Sequence, residues 1–248
     1  MKQKSKNMNI RILGIIPARG GSKGIPNKNI ASLGGKPLIY YTIREAKKSK
    51  LIDAFIVSTD SPRIARVARS FGADVPFLRP KKFAGDFSRD IEYLQHALRW
   101  LRVNRGWKPA ITVILQPTCP ARSFKDIDNV IRFMRRTNCD SVRTVIDPSP
   151  YNPFKMLVMT NTKKMSVERL LPEKYFHHLG TEIPRQLLPK YYLPVGLVYA
   201  TKSEWINRGR VWGTDVRGFL IDSHKGVDID MPSDLKRAKR ALKELKLL

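Results

Sequence analysis

The chain has 248 residues, 42% apolar and 27% charged, a balance that excludes a disordered or collagen-like chain and supplies enough apolar mass for a core. Lys and Arg number 47 against 21 Asp and Glu, so the formal net charge is +26. Such a charge implies attraction for anions (nucleic acid, anionic lipid or a phosphorylated substrate) and says nothing about fold. Two cysteines, Cys119 and Cys139, cannot build a disulfide scaffold, which points to a reducing compartment.

Residues 1–9 are polar, carry Lys2, Lys4 and Lys6, and read as a basic disordered tail. The apolar run Ile12 to Ile16 is too short for a signal-peptide core or a membrane span, so a cytoplasmic protein is expected. A single domain is expected over 10–248. Ile10–Pro17 reads as a buried strand, and Pro37–Ser49 as a helix with Leu38, Tyr41 and Ala46 on its apolar face. Ala54–Thr59 follows as a strand, Ser61–Phe71 as a helix and Ala73–Phe77 as a short strand. Asp90–Val103 is helical by the spacing of Ile91, Leu94, Ala97, Leu98 and Leu101. Ala110–Leu115 reads as a strand, Lys125–Arg136 as a helix and Ser141–Val145 as a strand. The alternation predicts an α/β fold, a Rossmann-like and mostly parallel sheet flanked by helices, with its ligand beyond the carboxyl ends of the strands.

From 147 to 192 the pattern breaks into a Pro-rich stretch. Its apolar residues, among them Phe154, Met156, Leu157, Tyr175 and Phe176, argue against a solvated loop and for an inserted subdomain. Val195–Ala200 returns to strand, Gly226–Asp230 reads as a short strand or strand end, and Pro232–Leu248 closes the chain as a helix.

The most informative segment follows the first strand: Pro17-Ala18-Arg19-Gly20-Gly21-Ser22-Lys23-Gly24-Ile25-Pro26-Asn27-Lys28-Asn29. Its glycines let backbone N–H groups approach an anion closely, and Arg19, Lys23 and Lys28 supply positive charge suited to a polyphosphate. No Lys-Ser or Lys-Thr follows Gly24 as a Walker A loop requires, and the spacing is not G-x-G-x-x-G. The plainer alternative is an ordinary strand-to-helix loop with surface lysines. Asp228 and Asp230 are spaced i, i+2; on a strand both carboxylates face one side and can share a hard cation, and otherwise they are a turn pair before Pro232. Gln116, Thr118 and Arg122 follow a strong strand, where active-site residues belong in this architecture. No His is placed to activate Cys119, which reads as a small buried residue.

The segment PARGGSKGIPNKN resembles the N-terminal signature of the acylneuraminate cytidylyltransferases, the CMP-sialic acid synthetase family. Further matches come in order: Ser58-Thr59-Asp60, Leu78-Arg79-Pro80, Leu115 through Arg122, Pro184 through Pro189, and Val227-Asp228-Ile229-Asp230. The related CMP-Kdo synthetases carry a different version of the loop. The resemblance implies attack by the anomeric hydroxyl of a 2-keto sugar acid on the α-phosphorus of CTP, giving a CMP-sugar and pyrophosphate. It implies a nucleotide site at Ala18, Arg19, Gly20, Ser22, Lys23, Lys28, Asn29, Arg79, Ser88 and Asp90, with Arg19, Lys23 and Lys28 neutralising the triphosphate. It implies catalytic Mg²⁺ on Asp228 and Asp230. It implies a sugar site at Gln116, Thr118, Lys155, Arg185 and Tyr199, with Lys155 and Arg185 on the sugar carboxylate. The subdomain at 147–192 is implied to pack in a homodimer and complete the neighbouring site.

Two departures bear on substrate. Relatives acting on N-acetylneuraminic acid tend to have Arg-Pro-Asn-Gly where this chain has Leu193-Pro194-Val195-Gly196, so loss of two polar contacts should change the sugar accepted. Legionaminic, pseudaminic or another ulosonic acid fits. Gly85-Asp86-Phe87-Ser88-Arg89-Asp90 is more charged than is usual in the family, and a carboxylate such as Asp90 can accept from cytosine or from guanine, which keeps GTP beside CTP. A sugar-1-phosphate nucleotidyltransferase is the nearest rival enzyme, but the Arg-Leu that follows its glycines is missing here. A nucleic-acid-binding protein is the rival from charge alone, and it is disfavoured because the basic residues are spread along the chain without a binding motif.

Overall fold

The computed structural model describes residues 11–149, 151–161, 165–171 and 184–248. The tail at 1–9 lies outside the described residues, as do Tyr175 and Phe176. The chain divides into two compact units, one ending at Val145 and resuming at Pro194, the other spanning Ile146–Leu193.

The first unit begins with β1 (Ile12–Pro17), whose Ile12, Leu13, Ile15 and Ile16 are all buried because helices cover both faces of its sheet. Asp53 accepts from the N–H groups of Arg11 and Ile12 at 2.8 and 2.7 Å and pins the strand's start. The glycine-rich loop leads to a small hairpin, β2 (Ser32–Leu33) and β3 (Lys36–Pro37), and then to α1 (Leu38–Lys48). β4 (Ala54–Ser58) runs parallel to β1. It is followed by α2 (Pro62–Ser70), whose first turn is capped by the Ser61 hydroxyl. Next come α3 (Asp90–Arg105) and β5 (Ile111–Ile114), which pairs with β1 on the side away from β4. α4 (Phe124–Thr137) and β6 (Ser141–Ile146) follow. In the second unit, β7 (Leu157–Asn161) and β8 (Ser166–Arg169) form an antiparallel hairpin. β9 (Leu193–Lys202) returns antiparallel to β5, α5 (Ser203–Asn207) turns the chain, β10 (Val216–Leu220) pairs parallel with β6, and α6 (Pro232–Glu244) ends the fold.

The six-stranded sheet has the order β10-β6-β9-β5-β1-β4. One face packs on α3 through Leu13, Ile15, Leu94, Ala97 and Ile114. A second core joins Leu38 and Tyr41 of α1 to Ile229 and to Ala238 and Leu242 of α6. The chain leaves β1 toward β4 and later returns to β5 on the other side, so the carboxyl ends of β1 and β5 flank a topological switch.

Two expectations need correction, and two elements went unforecast. Ala73–Phe77 is not a strand; it makes isolated bridges from Asp74 to Ile56 and from Leu78 to Thr59, because Pro76 between them has no N–H for a ladder. Gly226–Asp230 is an irregular extended segment with no partner strand, held by a bond from Ile229 N to Thr118 O at 3.0 Å. β10 and α5 carry no sequence forecast; β10 is an exposed edge whose residues lack the buried alternation that reveals a strand.

Candidate active site

A cleft of about 580 Å³ opens at the switch point, large enough for a nucleotide. Arg19, Ser22, Lys23, Lys28 and Asn29 line it from the loop after β1. Gln116 and Thr118 line it from beyond β5, Arg79, Ser88 and Asp90 from the segment leading into α3, and Asp228 and Asp230 from the segment before α6. These residues, scattered over more than two hundred positions, meet because each follows the carboxyl end of a strand or enters a helix there.

The loop is held open by specific bonds. Asn29 is buried and donates Nδ2 to Arg19 O at 2.9 Å. The Gly20 N–H donates to Asp60 Oδ1 at 2.9 Å, so Asp60, at the end of β4, shapes the loop. A Cβ on Gly24 would stand 2.4 Å from Asp230 O, so only glycine permits this approach of the loop to the aspartate segment. Lys28 ties the same two segments together, donating Nζ to Ile229 O and to Asp230 Oδ1, each at 2.9 Å.

The other two loop cations share one carboxylate. Arg19 Nη1 lies 2.9 Å from Asp86 Oδ1 and Lys23 Nζ 2.7 Å from Asp86 Oδ2. These bonds, Lys23's first and then Arg19's, hold the Asp86 carboxyl below its usual range. Asp86 was missed as a site residue because it lies 67 positions from Arg19 and in no motif of its own.

The far wall is preorganised. Arg79 is 5% exposed; Nη2 donates to Ser58 O at 2.6 Å, Nε to Ser58 Oγ at 3.1 Å, and the guanidinium lies 4.5 Å from the Tyr93 ring centroid. Burial raises the Asp90 carboxyl, opposed by the charge of Arg79. Tyr93, its hydroxyl buried beside the Asp90 carboxyl, belongs to the cleft lining, which the sequence reading overlooked because Tyr93 sits in a plain helical pattern. Ser88 Oγ accepts from Gly85 N at 3.0 Å and shapes the turn before α3.

Asp228 and Asp230 are exposed on the cleft side while Val227 and Ile229 between and beside them are buried. The two carboxylates thus share a side although the segment is not a strand. Among the described residues no group of three or more His, Cys, Asp or Glu is set to enclose a metal. Two carboxylates suit Mg²⁺, which takes its remaining ligands from water and phosphate, and do not suit an all-protein cage.

Among the assigned residues of the first unit, Ala18, Gly20 and Tyr199 do not line the cleft. Ala18 is fully buried beneath the loop with its N–H on Ser58 O at 3.0 Å. Tyr199, half-buried on β9, packs edge to face on Trp212 at 5.4 Å and lies outside the cleft lining. Lys155 is exposed in the second unit, and the Arg185 side chain falls outside the described residues. Arg122 is fully buried, donating to Thr42 Oγ1 at 2.9 Å, Gln116 O at 2.8 Å and Leu197 O; it braces the Gln116 loop from beneath, and burial lowers its pKa to about 10. Cys119 is buried and its thiol is pushed far up by burial, which removes it as a nucleophile. Gln116 owes its placement to Gly196, where a Cβ would fall 1.9 Å from Gln116 Oε1.

Comparison with known proteins places this geometry. The family profile described as Cytidylyltransferase matches residues 13–144. The chain is 44% identical over 237 residues to a pseudaminic acid cytidylyltransferase of Campylobacter jejuni, covering 91% of this chain and 93% of that protein. It is 32% identical over 227 residues to the CMP-N,N'-diacetyllegionaminic acid synthase of Legionella pneumophila, covering 91% and 93%. Its fold is similar to a solved CMP:2-keto-3-deoxy-manno-octonic acid synthetase complexed with CTP, with a TM-score of 0.67 at 18% identity over 94% of this chain and 99% of that one.

Proposed function

The chain belongs to the cytidylyltransferase family, and from that premise we propose that it activates a 2-keto sugar acid with CTP, joining CMP to the anomeric hydroxyl and releasing pyrophosphate. The observation that carries this is the convergence of Arg19, Lys23 and Lys28 with two exposed aspartates in one nucleotide-sized cleft at the switch point. Phosphoryl-type transfer is mostly positioning and charge neutralisation, which such a set supplies. The 44% likeness to a pseudaminic acid enzyme and the missing polar pair at Leu193 and Val195 favour a pseudaminic- or legionaminic-type acid.

In this reading Arg19 and Lys23 exchange Asp86 for the triphosphate, and Ser22 and the loop backbone orient it. Lys28 keeps the loop against the aspartate segment. Arg79, Ser88, Asp90 and Tyr93 form the base end of the cleft. An ionised Asp90 accepts hydrogen bonds only, which suits the amino group of cytosine and repels the O4 of uracil. Asp228 and Asp230 would hold Mg²⁺, which when bound supplies neutralising charge to the triphosphate. Gln116 and Thr118 face the acceptor. The second unit, with exposed Leu157, Met159 and Met165, offers an apolar surface suited to a second copy of the chain. No described helix is long and apolar enough to cross a membrane.

The test is Mg²⁺-dependent pyrophosphate release from CTP, GTP, ATP and UTP, each crossed with N-acetylneuraminic, legionaminic, pseudaminic and Kdo acids and a sugar-1-phosphate. Release with CTP and one ulosonic acid is expected, with Asp228→Asn and Asp230→Asn folded and inactive. Release only with the sugar-1-phosphate would overturn the reading. Near-normal turnover in both folded aspartate variants would remove the metal assignment.

A further inference from the structure

Arg143 stands on β6, whose other residues are all buried, and β6 is an inner strand between β10 and β9. A cation at such a position is costly unless something compensates it. Its neighbours on adjacent strands are compensated: Lys202 on β9 lies 3.0 Å from Asp140, and Arg217 on β10 lies 2.9 Å from Asp215. Arg143 has no carboxylate partner among the described residues, and its buried Nε makes no hydrogen bond. Tyr199 and Trp212 hold it: its Cζ lies 4.6 Å from the Trp212 ring centroid and 5.2 Å from that of Tyr199, whose hydroxyl it also bonds. A guanidinium stacked in this way is held in plane with its outer edge preorganised for a planar anion.

None of the three lines the cleft; they stand beside the sheet row that leads to Gln116. Tyr199 pairs in register with Ile114 on β5, two residues before Gln116, which lines the cleft. β6 and β1 are separated by β9 and β5, about 14 Å at ordinary strand spacing, so one phosphate group cannot touch both Arg143 and the loop cations. An anion held by Arg143 would therefore be a second one, and the reaction proposed above has one.

We propose that Arg143, clamped by Tyr199 and Trp212, binds the carboxylate of the acceptor sugar acid and is a specificity-determining residue of this chain. The inference rests on the proposed function. It gives the first unit its own cation for the acceptor, independent of Lys155 and Arg185 in the second.

The experiment measures KM for CTP and for the best acid of the panel in the wild type, Arg143→Met and Arg143→Lys, together with the same acid as its methyl ester. Thermal unfolding checks each variant. Loss of a charge-assisted bond should raise the acid's KM about 10- to 100-fold in Arg143→Met, with the CTP KM within about twofold. The wild type should prefer the acid over its ester, and the variant should lose that preference. Arg143→Lys keeps the charge without the planar fork and should fall between. Should both substitutions prevent folding, Trp212→Leu removes one clamping face from a loop and should raise the acid's KM in the same direction. An acid KM within twofold of wild type in a folded variant overturns the inference while leaving the proposed function standing. A wild type that forms no CMP-sugar with any acid overturns the proposed function, and the inference falls with it.

Discussion

Asp86 occupies the two loop cations with one carboxylate, 2.9 and 2.7 Å from Arg19 and Lys23, much as a phosphate would. In the proposed reading a triphosphate entering the cleft displaces it, so part of the binding energy goes to breaking those contacts. Asp86→Asn should lower the KM for CTP several-fold with little change in kcat; a raised KM would show instead that Asp86 helps bind the nucleotide. Because the two cations hold its carboxyl below the usual carboxylate range, the contact persists from neutral to mildly acidic pH. That Arg19, Lys23 and Lys28 come together was legible because glycines and cations fall in one short loop. Their resting partners, Asp86 and Asp230, were not, since nothing local in a sequence links a cation to a carboxylate 67 or 202 positions away.

The elements of the sheet are stitched together by a few acidic side chains at strand ends. Asp140, just before β6, accepts from Thr214 N and Asp215 N, each at 3.1 Å, from Thr214 Oγ1 at 2.9 Å and from Lys202 Nζ at 3.0 Å. It thereby joins β6 to the end of β9 and to the approach of β10. These bonds, that of the Asp215 backbone first, hold its pKa well below the usual carboxylate value. A depressed folded-state pKa adds stability that is fully present above the unfolded value, about 4, and is lost as pH falls through the folded one. Asp140→Ala should therefore lower the Tm at pH 7, and the gap to wild type should narrow below about pH 4. A gap that stays constant down to pH 2.5 would assign the effect to packing. The helices and inner strands were legible because period 3.6 and apolar runs are local signals. The Ala73–Phe77 segment was not, because its strand character depends on a ladder that Pro76 interrupts.

At the scale of the whole molecule, the chain carries a charge of +26, and the substrate of its family, CTP, is a polyanion. Such a field raises encounter rates and is screened by salt. At saturating acceptor, kcat/KM for CTP should fall several-fold between about 20 and 300 mM KCl, with kcat nearly constant. A flat response would mean that the charge serves some other contact. By itself the sequence determined the alternation of the main strands and helices from β1 to β6, the glycine-rich loop and the family, since each is written in contiguous residues. Only the tertiary structure decided that β9 runs against β5, that β10 lies beyond β6, and that Arg143, Tyr199 and Trp212 form one cluster. The physical reason is that strand order is set by burying apolar faces across long chain separations, and side chains from distant segments acquire their partners only when the sheet closes.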